Sequence, residues 1–178
     1  MKFIGPLMVE HRLIERIVPV LQKAIEKIDR DSQADPEFLV AAVDFFRVYA
    51  DRLHHGKEEN ILFREMKKKE LSPEDRKMLD ELENDHKIAR ENVGALHKSA
   101  WEYARGDAAQ LMEIRQRLET LAGLYEPHIK TEDNVFFPAS GKYFSAEEQE
   151  VMFKEGEEFD KKLIQGKYKQ ALETWENQ

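Results

Sequence analysis

Apolar residues recur along this chain at three- and four-residue intervals, the spacing that lines one face of an α-helix, and strand-type alternation is nearly absent. A first helix can open at Pro6, with Leu7, Ile14, Val18, Leu21, Ile25 and Ile28 on one stripe to about residue 31. Asp35-Pro36 opens a second, whose stripe of Leu39, Val43, Phe46 and Ala50 continues through His54, Glu58 and Ile61. Ser72-Pro73-Glu74-Asp75 reads as an N-cap, a first-turn proline and an acidic first turn. The third helix that follows carries Leu79, Leu82, His86, Ala89 and Val93 on one face. After Gly106-Asp107, a fourth helix carries Leu111, Ile114, Leu118, Leu121, Tyr125, His128, Glu132 and Val135, and Pro138 and Gly141 end it. Pro127 lies inside it, and the residue it crowds, Gly123, is the one best able to relax, so a kink just before His128 is expected. The capping box Ser145-Ala146-Glu147-Glu148 opens a short fifth helix, and Tyr168 to Trp175 suggest a last one. Four long helices with short connections predict an all-α, up-down-up-down bundle over about 6–138, with one or two short accessory helices over about 145–176.

Composition narrows the class. At 178 residues, 41% hydrophobic, the chain is long enough for one sizeable core and needs no second domain. A net charge of −8 argues against nucleic acid, whose phosphates call for a basic face, and the run Lys67-Lys68-Lys69 fits a solvated helix end. No window approaches a membrane span, and the N-terminus lacks the apolar stretch of a signal peptide, so a cytoplasmic protein with no membrane partner is expected. Cysteine is absent, which leaves nitrogen and oxygen as the only metal donors.

Histidine then becomes the informative residue. There are six, and His11, His54, His86 and His128 fall on predicted apolar stripes. His54-x-x-x-Glu58 and His128-x-x-x-Glu132 each set an imidazole and a carboxylate one turn apart on one face. Buried carboxylates beside buried imidazoles call for cations to neutralise them. A rise of about 1.5 Å per residue puts the four histidines roughly 7, 10, 9 and 6 Å along the bundle, in one layer. The segments His54–Phe63 and His128–Phe137 also align without a gap, with histidine, glutamate, an acid, asparagine, two apolar residues and phenylalanine in order. That alignment favours His54 over its neighbour His55, and it turns Glu59 about 100° away from Glu58.

A lone histidine, a His-x-x-x-Glu, another histidine and a second His-x-x-x-Glu on successive helices resemble the hemerythrin-like (HHE cation-binding) family over residues 7 to 138. The resemblance implies a non-haem centre of two iron ions, with zinc or manganese as other occupants. It implies that His11 and His54 bind one ion, His86 and His128 the other, and that Glu58 and Glu132 bridge them. Compared with the family's oxygen carriers, Arg90 stands where a further histidine is found, and Glu132 with Asp133 replaces a His-x-x-x-x-Asp, which argues against reversible oxygen carriage. His55, Glu15 and Asp133 are the substitutes available for the missing ligand, each with a stronger reading as an ordinary side chain. His97, three turns beyond His86, reads as structural or surface. Tyr125 reads first as a core aromatic and second as a partner of the metals, and Met8, Leu82 and Val135 are expected to wall the site. The function implied is binding or sensing of dioxygen, nitric oxide or peroxide. A di-iron oxidase or peroxidase and a metal-stapled interaction module are the alternatives, and a ligand-binding protein is favoured over an enzyme.

Overall fold

A computed structural model describes residues 2–176 of the chain, and the side chains of residues 2–163. It contains helices and turns, and no strand among the described residues. The first long helix is interrupted, as α1 (Ile4–Ile14) and α2 (Ile17–Asp31) meet at Glu15 and Arg16. The cause is Pro19, which the apolar stripe conceals: it cannot donate to the carbonyl of Glu15, and its ring crowds that carbonyl. Glu15 O instead accepts from Val18 N at 3.3 Å. Helix α3 (36–66) starts under Asp35, whose carboxylate accepts from the backbone N–H groups of Glu37 and Phe38. Helix α4 (Pro73–Ala104) starts under Ser72, which accepts from Asp75 N. Helix α5 (111–140) runs through Pro127 without a break. The one or two short helices expected at the C-terminus are a single helix, α6 (Ala146–Glu176), opened by the Ser145/Glu148 capping box and continuous across 168–175.

Helix α4 packs on α3 and α5, α5 on α2, and α1 on α3, which closes a four-membered bundle with α1 and α2 as one kinked member. Two apolar cores fill it. One joins Ile14, Val18, Leu21, Phe46, Val93, Leu118, Leu121 and Tyr125; the other joins Leu7, Ile61, Leu62, Phe63, Met66, Leu79, Phe136 and Phe137. Each buried side chain of this size contributes roughly 1.5–3 kcal/mol to folding. Helix α6 lies across the second core through Met152 and Phe159. It comes close enough that a Cβ on Gly56 would stand 2.8 Å from Phe159 Cζ. None of the described helices is long and apolar enough to cross a membrane.

Parts of α3 and α5 are wound more widely than an α-helix. Phe45–His55, Glu58–Phe63 and Glu132–Phe136 follow the i→i+5 pattern of a π-helix, a winding found most often at functional sites. The last two segments occupy the same place in the internal repeat. In each, the asparagine side chain donates to the carbonyl four residues back, Asn60 to Gly56 at 2.7 Å and Asn134 to Lys130 at 2.8 Å. It thereby competes for the acceptor that α-winding needs.

Candidate metal centre

The layer between the two cores is polar and buried. His11, His54, His55, Glu58, His86, His128 and Glu132 are each at most 4% exposed. The donor atoms form two groups, His11, His54, Glu58 and Glu132 in one and His55, His86 and His128 in the other, and within each group they lie within 4.8 Å of one another. Glu58 faces both groups, with Oε1 3.5 Å from His54 Nε2 and Oε2 3.5 Å from His86 Nε2. Glu132 does the same through Oε2, 3.1 Å from His11 Nε2 and 3.4 Å from His128 Nε2. The six residues that the sequence nominates therefore come together, and His55 joins them.

Among the described residues, the Nε2 atoms of His11, His54, His86 and His128 and all four carboxylate oxygens of Glu58 and Glu132 are buried without a hydrogen-bond partner. Native interiors rarely leave such groups unpaired, and here they face one another. A pair of cations would satisfy all of them at once, so the residues present fit the di-metal centre that the sequence implies.

The opposite nitrogen of each of these four rings is held by a carboxylate. His11 Nδ1 meets Asp133 Oδ1 at 2.8 Å, His54 Nδ1 meets Glu10 Oε2 at 3.0 Å, His86 Nδ1 meets Glu59 Oε1 at 2.7 Å, and His128 Nδ1 meets Asp85 Oδ2 at 3.2 Å. A carboxylate there keeps the proton on Nδ1 and leaves Nε2 as a lone-pair donor aimed inward. This ring of acids escapes the sequence reading. Glu59, although it turns away from Glu58, is not a bystander, since it holds His86. Asp133 orients His11 from outside and does not reach inward. A signal for the set is in the sequence all the same: an acid precedes each lone histidine, at Glu10 and Asp85, and an acid follows Glu58 and Glu132, at Glu59 and Asp133.

Electrostatics agree with a site waiting for positive charge. Burial, then the neighbouring Glu132, push the Glu58 carboxyl well above its usual range. Burial acts on Glu132 in the same sense, yet the His128 and His11 rings hold it at about 2. Two such carboxylates share a proton unless a cation lies between them. Burial, then the adjacent imidazoles, hold His54 well below its ordinary value, and burial with His86 brings His55 to about 3, so these rings stay neutral, as metal donors must. At Glu10, burial raises the carboxyl and the ammonium of Lys57 pulls it back.

His55 faces inward because α3 is π-wound at that point. A wider turn advances each residue through less than the about 100° of an α-helix, so that two successive side chains can face the same interior. Its ring lies 3.8 Å from that of His86, nearly parallel, and 6.3 Å from that of Tyr125. The ring nitrogen that Arg90 fails to supply is thus matched in number by His55. Arg90 itself lies at the rim, bound to Asp51 at 2.7 Å and Glu59 at 2.9 Å. Glu15 pairs with Arg12 at 3.0 Å, away from the cluster, and His97 is exposed. The expected wall is corrected as well. Met8 and Val135 are 39% and 49% exposed, because Met8 stands one residue off the buried stripe of Leu7, His11 and Ile14 and the π-turn after Thr131 rotates Val135 outward, and only Leu82 is buried. Phenylalanines do the work in their place: Phe137 stacks on His11 at 5.5 Å and Phe63 on His86 at 5.7 Å.

A cleft reaches this layer from outside. It holds about 120 Å³ and is lined by Phe46, Asp51, His55, Ala89, Arg90, Val93 and Tyr125 among others. A family model described as the hemerythrin HHE cation binding domain matches residues 3–140 of the chain. No curated protein and no solved structure matches it.

Proposed function

Because the chain belongs to the hemerythrin HHE cation-binding domain family, we propose that its clustered side chains hold two iron ions and that this pair binds or senses a small ligand such as dioxygen, nitric oxide or a peroxide. The observation that carries the reading is the convergence of four unpaired Nε2 atoms on two unpaired, buried carboxylates. In this reading His11 and His54 serve one ion, His55, His86 and His128 the other, and Glu58 and Glu132 lie between them. The donor set of imidazole and carboxylate, with no thiolate, suits iron and accommodates zinc or manganese. Bound iron would supply the redox and Lewis-acid chemistry.

The protein's own part is binding, orientation and exclusion. The outer acids Glu10, Glu59, Asp85 and Asp133 fix four rings in the tautomer a metal needs. Phe63 and Phe137 close the layer against water from one end. The cleft of about 120 Å³ suits a diatomic molecule or a peroxide and falls short of the roughly 300–1,000 Å³ of metabolite pockets. Burial, then the charge of Asp51, raise the Tyr125 phenol above its ordinary value, so it stays protonated beside His55.

Elemental analysis of protein expressed with added iron should find close to two metal ions per chain, and fewer in Glu58→Ala and Glu132→Ala. A chain that holds no transition metal would refute the reading. Anaerobically reduced protein mixed with nitric oxide or dioxygen should change its optical spectrum; a metal-loaded chain that responds to neither would be a stapled bundle. Tyr125, which lines the cleft that reaches His55, favours one second reading, a peroxidase. That reading requires repeated peroxide consumption with an added reductant, and loss of it in Tyr125→Phe.

A further inference from the structure

Beyond the extra histidine, His55, of one half, the two halves of the centre differ in how their outer acids are held. Glu10 and Asp85 each precede a histidine and each hold the Nδ1 of a histidine on the partner helix. The Asp85 side chain is 33% exposed, so solvent can reach it. Glu10 is sealed, because Lys57 covers it. Lys57 occupies the repeat position that Thr131 fills in the other half, and it is 2% exposed. Its ammonium pairs with Glu10 Oε1 and, at 2.9 Å, with Asp160 Oδ1 of α6. Phe159, the residue before Asp160, rests against Gly56, the residue before Lys57. A chain of contacts therefore runs from α6 through Lys57 and Glu10 to His54, and ends on one ion position only. Helix α6 lies beyond the residues that the family model matches.

We propose that Asp160 is a positioning residue for the ion held by His11 and His54, and that occupation of this position in turn seats α6 on the bundle. The inference rests on the metal-centre reading above. For His54 to turn Nε2 inward, its Nδ1–H must donate a hydrogen bond to Glu10, and Glu10 is held in place to accept it while its other oxygen is fixed by Lys57. A buried ammonium needs its anions close, and Asp160 is one of two. Neutralising Asp160 leaves Lys57 either to lean wholly on Glu10, which weakens the hold on His54, or to swing outward with α6. Coupling of this kind is reciprocal, so whatever α6 contributes to metal affinity the metal returns as protection of α6. Among the described residues the ion of His55, His86 and His128 has no such link, because its outer acid Glu59 is paired with His86 and Arg90, and Asp85 with His128, and neither with a side chain of α6.

The test uses the full chain titrated with iron(II) or zinc under chelator competition, which resolves two affinities. Asp160→Asn should weaken one of them about tenfold, the low end of what outer-shell changes typically cause. The other affinity should be unchanged, and Asp160→Glu should restore the first. Asp85→Asn should affect the opposite ion. In the unmutated chain, amide exchange over residues 150–163 should slow by a comparable factor when metal is added. Two affinities unmoved by Asp160→Asn, with exchange in α6 indifferent to metal, would overturn the positioning role while leaving the metal centre standing. A wild-type chain that binds no metal would overturn both. Should Asp160→Asn fail to fold, the exchange measurement on the unmutated chain decides the matter.

Discussion

Replacing His55 by phenylalanine should weaken one of the two ions and spare the other. Phenylalanine keeps an aromatic ring between His86 and Tyr125, whose rings stand 3.8 and 6.3 Å from that of His55, and removes both nitrogens. His55 is buried and neutral, its pKa held at about 3, so the metal-free fold loses no charge pair. A near-isosteric change of this kind should cost the apo protein under about 1.5 kcal/mol. The effect on metal is larger. Structural zinc sites bind with about 10–16 kcal/mol over four ligands, or about 2.5–4 kcal/mol for each. At about 1.4 kcal/mol per decade, loss of one imidazole lowers affinity roughly 10²- to 10³-fold. Calorimetric titration with zinc or iron(II), with elemental analysis after desalting, should show stoichiometry falling from about two toward one. The ion that remains should still depend on His11 and His54. Two ions bound as tightly in His55→Phe as in the wild type would mean that the three-histidine group is packing and not coordination, and that the site has six ligands and not seven.

Three further outcomes follow from the same geometry. Glu59→Ala should weaken metal binding by about 10- to 100-fold in chelator competition, since it frees the ring of His86; no change would return Glu59 to the surface role its position in the sequence suggests. In the metal-free chain His55 should contribute a loss of stability as pH falls from 6.5 toward 3, read as the difference from His55→Phe. Over that window the unfolded chain protonates the His55 position while the folded chain, with its pKa near 3, does not, and stability present above pH 6.5 is lost. Glu59, which His86 and Arg90 hold at about 2 although burial opposes them, adds a loss between 4.5 and 2. Urea unfolding of chelator-treated wild type and His55→Phe at pH 7.5, 5.5 and 4 checks the sign, since Glu58 and His128, both raised, act in the opposite sense in both chains, and a wild-type advantage that grows with acid would contradict it. Gly56→Ala should destabilise by about 1–3 kcal/mol, because its Cβ would meet Phe159 at 2.8 Å. Gly123→Ala, where a Cβ meets nothing within 4 Å, should stabilise by about 0.4–1 kcal/mol, so thermal melts of the pair should shift in opposite directions.

Much of the bundle is legible in the residues alone, because its signals are local. A stripe such as Leu79, Leu82, His86, Ala89 and Val93 needs only a 3.6-residue period to be read, and caps such as Asp35-Pro36 and Ser72-Pro73 need only their immediate neighbours. His11, His54, Glu58, His86, His128 and Glu132 can be nominated for the same reason: each is a polar residue on an apolar stripe, where burial without a counter-charge is costly. What periodicity cannot supply is a change of period or a contact between helices. His55 joins the cluster because α3 leaves the 3.6-residue winding on which the sequence reading depends. Glu10, Glu59, Asp85 and Asp133 look like surface acids until the fold sets each beside a histidine of another helix, 27 to 122 residues away in the chain. Lys57 reads as a solvated lysine until α6, more than a hundred residues on, brings Asp160 to it and buries it. The sequence by itself determined which faces turn inward and which residues there are candidate metal donors, since both follow from local spacing and the cost of burying charge. Only the tertiary structure decided which acids hold the histidine rings, which further histidine joins the cluster and what α6 touches, because those are pairings between segments, or changes of winding, that no local period encodes.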